Sequence, residues 1–129
     1  MSYEAWGEPD DSAFEAAIEA GWLDPADLSK ALVDVMNERN RQQDAEGWTP
    51  EHDDEHGDGS LAMVAALYAE PRPLLKRVGD WIVPAYWPQS WDFKFWKPKD
   101  RRRDLVRAGA LILAEIERLD RLAAKEAGK

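Results

Sequence analysis

The residues best suited to chemistry form a basic run near the start of the predicted last helix. Seven lysines and arginines fall within fourteen residues, against two aspartates: Lys94, Lys97, Lys99, Arg101, Arg102, Arg103 and Arg107. Three consecutive arginines in a first helical turn oppose the helix dipole, so we expect an anion to compensate them. A bound phosphate is one such anion, because helix N-termini favour it, and the chain's own acidic loop at 51–58 is the other.

Aromatic side chains stand directly before and within this basic run. Trp87, Trp91, Phe93 and Trp96 would offer faces on which a nucleobase stacks, and we expect Trp91 or Trp96 to do so. The same side chains would equally fill the core or a subunit interface. Because segment 74–98 is too aromatic to be a solvated linker, we expect a homo-oligomer.

The second predicted helix carries a face that changes from apolar to polar. Its stripe continues beyond Val35, at the same phase, to Arg39, Gln42 and Glu46, with Glu38 beside it. Buried charges are costly unless they are paired or liganded. This face therefore lines a cleft that holds a ligand, or the helix outruns the core and its last turns are solvated.

Two histidines and several carboxylates raise the question of a metal. His52 and His56 are four residues apart, which places both on one helical face as in zinc sites, but no third ligand is evident. Hard oxygen ligands would hold Mg²⁺ if the helices converge. This predicted set comprises Asp53, Asp54, Glu38 and Glu46. Alternatively, Asp53 and Asp54 cap a helix and the histidines form local hydrogen bonds.

Helix start and stop signals place these residues on an all-α scaffold. They predict five segments: Ser12–Ala20 ending at Gly21, Pro25–Glu46, a turn or short helix over Glu51–His56, Ser60–Glu70, and about Pro98–Ala127. Two apolar stripes are expected to face the core. They are Leu28, Ala31, Leu32, Val35 and Met36 on the second helix, and Leu105, Ala108, Gly109, Ile112, Ile116, Leu119 and Leu122 on the last. In the arm at 74–98, Leu74 to Trp81 would form a helical turn or two, whereas Trp81 to Val83 would equally be extended.

Length and composition bound the class of protein. The 129 residues predict a single helical domain over 1–129, with residues 1–11 flexible and the irregular aromatic arm at 74–98 between the last two long helices. No cysteine is present, and no apolar run approaches the roughly 18 residues of a membrane span. The acidic start is unlike a signal peptide, so we expect a cytoplasmic protein without a membrane partner.

Charge is divided unevenly along the chain. Residues 1–60 hold 17 acidic and 3 basic side chains, a net charge of −14, whereas residues 61–129 hold 9 and 14, a net charge of +5. The overall charge of −9 argues against binding to duplex nucleic acid, which needs a basic surface. The acidic half would also suit a protein that mimics nucleic acid.

Several segments resemble a group of small proteins encoded by phages and prophages. The resemblance covers roughly residues 36–121 and rests on Asn37–Gln42, Glu46–Thr49, His52–Asp54 with His56, Gly59–Ala62, Trp96–Val106, Ala108–Ile112 and Glu115–Asp120. It implies a protein that acts in the cytoplasm of a bacterial host. Ser60 departs from the group, in which a glutamate usually follows the glycine.

A more distant similarity, in style only, is to the all-α NTP pyrophosphohydrolases of the MazG type. Glu38, Asp53, Asp54 and Asp104 lie on predicted helices, as do the acidic ligands of that family. Those enzymes bind Mg²⁺ through carboxylates on facing helices and cleave nucleoside triphosphates to monophosphates. The similarity implies Mg²⁺ as a possible cofactor, although the acidic motif of the family is not reproduced here.

From these observations we expect an accessory protein that binds a phosphate-bearing nucleotide between the arm and the 38–46 face. Its use would be counter-defence, by sequestering a nucleotide immune signal. Lys99, Arg101, Arg102 and Arg103 would grip phosphates. Polar base edges would be recognised by the 38–46 face and the acidic loop, through Glu38, Arg39, Gln42 and His52. The alternatives are an Mg²⁺-dependent NTP pyrophosphohydrolase that uses the same cleft, and an acidic interaction protein that blocks a host partner.

Overall fold

The computed structural model describes residues 24–128, together with 16 and 19–21, and these residues are mostly helical. The helices are α1 (Lys30–Asp44), α2 (Pro50–Asp54), α3 (Ser60–Ala69) and α4 (Arg101–Ala127). Strands β1 (Leu75–Val78) and β2 (Trp81–Pro84) form a small sheet, and short 3-10 turns cover Pro25–Asp27 and Phe93–Phe95. The predicted helix Ser12–Ala20 and the predicted flexible segment 1–11 lie mostly or wholly outside the described residues.

Helix α1 begins later than its sequence signals predicted. The carboxylate of Asp24 accepts the N–H of Ala26 at 2.9 Å and so holds only a 3-10 turn. The chain then straightens at Ser29 (φ −65°, ψ 151°), whose hydroxyl accepts the N–H of Leu32 at 3.1 Å and caps α1. The prediction of one helix over Pro25–Glu46 was wrong because the second of two N-cap signals starts the helix.

The core lies between α3 and α4, and the aromatic arm covers it. Helix α3 is apolar on nearly all sides, as expected of a buried helix, and Leu61 and Val64 are fully buried. Tyr68 on α3 joins the indoles of the arm in the same cluster. The sequence prediction of an apolar helix from Ser60 to Glu70 is confirmed to within one residue.

The arm contains a β-hairpin, so an all-α description is wrong for this part of the chain. Strands β1 and β2 are antiparallel, with Leu75 opposite Pro84 and Val78 opposite Trp81. Gly79 occupies the first central position of the two-residue turn with φ +61°, the conformation that a type II′ turn requires there. The helical alternative for Leu74–Trp81 is excluded, and the extended alternative for Trp81–Val83 is correct.

The two predicted core stripes are covered only in part. The predicted face of α1 does pack on α4, since Val35 lies against Gly109 and the polar continuation of the stripe at Arg39 and Gln42 is buried, but the first, apolar part of the stripe is exposed. Leu32 is 45% exposed and Ile112 is 48% exposed, whereas α1 buries Glu38, Arg39 and Gln42 instead. Of the stripe predicted on α4, only Ala108 is fully buried, and it belongs to the set of side chains that faces the core. That set comprises Val106, Ala108, Ala110, Leu111 and Ala114. Alanines permit close packing of α3, and an apolar period alone does not reveal which of two apolar faces is covered.

Within the described residues, no helix combines the length and apolar character that crossing a membrane requires.

Candidate functional site

A buried carboxylate on α1 organises one side of the candidate site. Glu38 is 2% exposed. Its carboxylate accepts hydrogen bonds from Arg41 Nε at 2.7 Å and Arg41 Nη2 at 2.9 Å, a bidentate arrangement. Gln42 Nε2 donates a third at 3.1 Å, and Arg103 Nη2 donates a fourth at 2.5 Å from the start of α4. Glu38 thus joins α1 to α4 through charge-assisted hydrogen bonds.

The arginines determine the ionisation of Glu38. Burial alone would raise the pKa of this carboxyl, but the hydrogen bonds from Arg41 and Arg103 outweigh burial and lower the pKa below its usual value. Glu46 shows the same balance, since burial is outweighed by hydrogen bonds from Lys97 and Arg41. Both carboxylates are therefore ionised at neutral pH and neutralise part of the surrounding positive charge.

A second network centres on Arg39, which is 5% exposed. Its Nε donates to Glu117 Oε1 at 2.9 Å, its Nη2 donates to Asp53 Oδ2 at 2.9 Å, and its Nη1 donates to the carbonyl of Trp48 at 3.3 Å. The guanidinium thereby ties α1 to α2, α4 and the connecting loop. This role is structural, because each of the three guanidinium nitrogens of Arg39 already donates a hydrogen bond within the protein.

Asp53 is fully buried and only partly satisfied. Oδ2 is held by Arg39, but Oδ1 accepts no hydrogen bond from a described residue and lies 3.6 Å from Nδ1 of His52. Burial raises the pKa of Asp53, and the positive charge of Arg39 compensates only in part. The ionised form of Asp53 is therefore destabilised by the burial of this side chain in α2.

The two histidines stack on each other and do not converge on a metal position. Their ring centroids are 4.8 Å apart, and His56 Nδ1 lies 3.1 Å from Ser60 Oγ. Burial lowers the pKa of His56, with the nearby His52 ring contributing. Among the described residues there is no group of three or more histidine or carboxylate side chains placed to hold a metal ion.

The predicted Mg²⁺ set is not assembled, because arginines divide its carboxylates. Asp53 pairs with Arg39, whereas Asp54 accepts from Arg121 Nη2 at 2.8 Å. Glu38 and Glu46 share Arg41. Each carboxylate thus has a cationic partner of its own or one shared with a neighbour, and the four do not face a common point. The local alternative holds only for His56, which lies within hydrogen-bond distance of Ser60. Asp53 and Asp54 do not cap a helix, because Thr49 caps α2 and the two aspartates lie at its end and pair with arginines of α1 and α4.

An open cleft of about 590 Å³ lies between α1 and the start of α4. It is lined by Asp34, Asn37, Glu38, Arg41, Lys99, Asp100, Arg102, Arg103 and Val106. Four of the predicted ligand-binding residues therefore meet here: Lys99, Arg102, Arg103 and Glu38. The cleft combines four cationic groups with three carboxylates around one apolar side chain.

Other predicted site residues lie away from the cleft lining. Arg101 donates through Nη1 to the carbonyl of Ala69 at 2.5 Å and so closes the end of α3. Arg39 and Gln42 are buried in the networks described above, and His52 stacks on His56. These residues hold the helices in place instead of facing the cleft.

The arginines of the cleft are partly satisfied by the chain itself. Arg102 Nη1 lies 2.8 Å from Asp34 Oδ2, and Arg103 Nη2 lies 2.5 Å from Glu38 Oε1. The expected compensation by an internal anion therefore occurs, but through α1 and not through the acidic loop at 51–58. Lys99 differs, because its ammonium forms no ion pair with any residue in the described part of the chain; only its backbone N–H is bonded, to Asp104 at 2.9 Å.

The start of α4 is capped by acidic side chains that offset its three arginines. Asp100 accepts the N–H of Arg103 at 2.8 Å, and Asp104 lies in the first turn. Both negative charges complement the positive end of the helix dipole. The cap explains how an arginine run is tolerated at this position.

None of the tryptophans that the structure describes lines the cleft. Trp91 is 5% exposed and packs edge-to-face against Trp48, with ring centroids 5.0 Å apart. Trp96 is half-buried and packs on Tyr68 at 4.8 Å. Stacking of a base on Trp91 is therefore inconsistent with the structure, because the arm folds over α3 and uses its aromatic faces to complete the core.

Sequence reasoning missed the half of the cleft that α1 supplies. Asp34, Asn37 and Arg41 recur at intervals of three and four residues, which places all three on one helical face. This spacing was the available signal. It was overlooked because the prediction followed the neighbouring stripe through Val35, Arg39 and Gln42, which packs against the protein instead of facing the cleft.

No protein-family model matches the chain, and comparison with curated proteins and with solved structures gives no match.

Proposed function

We propose that the cleft between α1 and the start of α4 binds a small phosphate-bearing ligand, and that this ligand is a nucleotide. The observation that carries the proposal is the convergence of Arg41, Lys99, Arg102 and Arg103 on a cavity of about 590 Å³. This volume lies within the range of roughly 300–1,000 Å³ typical of small-molecule sites. Arginine and lysine are the residues that recognise phosphate in such sites.

Phosphate enters by exchange with Asp34. The Arg102 side chain is 56% exposed, and the side chain of its partner Asp34 is 28% exposed, so the pair is open to competition. Hydrogen bonds from Lys30 and Arg102 lower the pKa of Asp34, which keeps this competitor ionised at neutral pH. A phosphate with nearly two negative charges and three acceptor oxygens offers Arg102 a stronger bidentate partner than one carboxylate.

The remaining cations have distinct roles in this proposal. Lys99 supplies a point charge that the described part of the chain leaves unpaired. Arg103 is fixed by Glu38 and so presents its remaining N–H groups at low entropic cost. The base stacks on the planar guanidinium of Arg102, and the amide of Asn37 recognises a polar edge of the base.

We favour retention of the nucleotide over its hydrolysis. Each carboxylate of the proposed Mg²⁺ set is engaged by an arginine, so the chain's own residues favour a positively charged cleft over a cluster of hard oxygen ligands. With the resemblance to phage-encoded proteins, this supports a counter-defence role: sequestering a nucleotide immune signal in the cytoplasm of a bacterial host.

Titration calorimetry tests the proposal. The panel comprises inorganic phosphate, nucleoside mono- and triphosphates, and cyclic mono- and dinucleotides, each measured at low and high salt. We expect binding that weakens with salt, and an approximately tenfold loss of affinity in Arg102→Gln and in Lys99→Gln. Lys76→Gln is the matched control, because Lys76 is an exposed lysine on β1 that does not line the cleft. Absence of binding across the panel would overturn the proposal.

Product analysis separates retention from hydrolysis. Nucleoside triphosphates are incubated with the protein and Mg²⁺, and we expect them to remain intact. Release of monophosphate and pyrophosphate that is lost in Lys99→Gln but retained in Lys76→Gln would instead favour the pyrophosphohydrolase alternative at the same cleft.

A further inference from the structure

Helix α4 presents an apolar face that the described part of the chain leaves uncovered. Leu105, Ile112, Ile116 and Leu119 are between 39% and 49% exposed. Their spacing of seven, four and three residues places them on one side of the helix. This side is opposite the one that buries Ala110 and Ala114 against the core. Two apolar faces on one helix indicate two packing partners.

Helix α1 widens this surface. Val35 packs directly over Gly109, where an added Cβ would lie 3.2 Å from Val35 Cγ2. Leu32 and Met36 flank Val35 on α1 and are 45% and 38% exposed. We define the apolar face as Leu32, Met36, Leu105, Ile112, Ile116 and Leu119. The apolar face therefore spans two helices, α1 and α4, that pack directly on each other.

We propose that a second copy of this chain occupies the apolar face, with the two α4 helices antiparallel and the two-fold axis at Ile112. Leu105 precedes Ile112 by seven residues and Leu119 follows it by seven. An antiparallel pair centred there places Leu105 opposite the partner's Leu119 and Ile112 opposite itself. A two-fold interface must be self-complementary, and Leu105 and Leu119 are placed symmetrically about Ile112.

Charge on the edge of the face supports the same register. Arg102 and Asp120 are 18 residues apart, which is five full helical turns, so both lie on the same edge of the face. In the antiparallel pair, the partner's Asp120 comes level with position 104, about 3 Å along the axis from Arg102. The Arg102 side chain is 56% exposed and reaches this distance. Two reciprocal ion pairs would therefore flank the apolar centre, each formed by the N–H groups of Arg102 that Asp34 of the same chain does not occupy.

The area is sufficient for an interface between copies. The six side chains expose together roughly 500 Å² per copy, near the upper limit for an apolar patch on a monomer. Two copies would bury about 1,000 Å² of apolar surface, the lower bound for a specific interface before flanking polar contacts are added.

The oligomeric state of the full chain is the first test. Light scattering and sedimentation between about 1 and 100 μM should give a dimer. Ile112→Asp places two carboxylates against each other at the axis and should weaken dimerisation at least about 100-fold. Ile82→Asp is the matched control, because Ile82 is 53% exposed on β2 and outside the apolar face. A monomeric wild-type chain, or a dimer that survives Ile112→Asp, would overturn the proposal.

Cross-linking tests the axis without destabilising the fold. The chain contains no cysteine, so Ile112→Cys introduces a single thiol. Under mild oxidation this variant should form a disulfide-linked dimer, whereas Ile82→Cys should not. A monomeric Ile112→Cys chain whose thiol is shielded from small alkylating reagents would instead show that the chain covers its own face, and this too would overturn the proposal.

A charge exchange tests the register. Arg102→Asp should weaken dimerisation by placing two like charges near each other, and Asp120→Arg in the same chain should restore it. Failure of the double variant to recover, with both single variants folded, would exclude the antiparallel arrangement centred on Ile112. The dimer readout does not depend on the nucleotide proposal, because no ligand is added.

Discussion

Two arginine–aspartate pairs of nearly equal length lie in opposite surroundings. Arg39 and Asp53 are 2.9 Å apart, with side chains 6% and 0% exposed, whereas Arg102 and Asp34 are 2.8 Å apart with side chains 56% and 28% exposed. The first pair cannot exchange partners without leaving a charge in the protein interior. The second can exchange its aspartate for another anion. Burial, and not bond length, therefore separates the structural ion pair from the one we assign to ligand binding.

The largest expected effect follows from removing one side of the buried pair. Arg39→Ala leaves Asp53 buried without its cation and should lower the free energy of unfolding by about 3–5 kcal/mol. Arg102→Ala breaks an exposed pair and should cost about 0–1 kcal/mol. Denaturant unfolding followed by circular dichroism measures both. Equal losses of unfolding free energy in the two variants would contradict the distinction between a buried structural pair and an exposed pair.

Acid should reveal the carboxylates that arginines stabilise. The pKa of Glu38 is lowered in the folded state, so its stabilisation is present above its unfolded value of 4.5 and is lost as pH falls through the folded value. We expect wild-type stability to decline below about pH 4.5 and Glu38→Gln to show a smaller decline over the same range. Urea unfolding at pH 3 and pH 7 provides the measurement. An equal decline in both proteins would indicate that the pKa of Glu38 is not lowered on folding.

The sequence predicted an element correctly where its residue pattern was compatible with only one type of secondary structure. Helix α3 is apolar on nearly all sides and is followed by Pro71, so its type and extent were evident. The hairpin was not evident from the sequence. Every residue of β1 is exposed, so the strand does not show the alternation of apolar and polar residues that marks a half-buried strand. Gly79-Asp80 was the usable turn signal.

The most consequential error for the candidate site concerned which part of the α1 stripe is covered. The apolar part at Leu32 and Met36 is exposed, while Glu38 and Gln42 are buried, because arginines on α1 and α4 neutralise the buried carboxylate. A sequence does not reveal such long-range pairing between residues 65 positions apart. Three of the four cationic residues that line the cleft were nevertheless foreseen, since Lys99, Arg102 and Arg103 form one local run.

Salt should sharpen the distinction between the two pairs. A double-mutant cycle on Arg102 and Asp34 should give a coupling of about 0.5 kcal/mol at low salt that falls towards zero at high salt, because exposed charges are screened. The same cycle on Arg39 and Asp53 should give a larger coupling that salt changes little. Thermal and urea unfolding of the wild type, the four single variants and the two double variants provides both couplings. If the coupling between Arg39 and Asp53 disappears at high salt, the pair is accessible to solvent and the assignment of a buried ion pair is wrong.

The smallest expected effect concerns the sign of one pH dependence. Burial raises the pKa of Asp53 in the folded state, so its contribution to stability is fully present below its unfolded value of 3.8 and is lost as pH rises through the folded value. This trend opposes that of Glu38. Asp53→Asn removes the opposing trend, so the acid-induced loss of stability between pH 7 and pH 4 should become steeper, by less than about 1 kcal/mol.

Urea unfolding across this pH range measures that slope, with Asp54→Asn as the matched control on the exposed side of α2. A flatter slope in Asp53→Asn would mean that the charge of Arg39 outweighs burial and that the pKa of Asp53 falls on folding. The unpartnered Oδ1 argues for the opposite result, because a carboxylate that uses only one of its oxygens gains less from its cation than it loses by leaving water. The buried pair would then tie α1 to α2 while itself favouring a protonated aspartate.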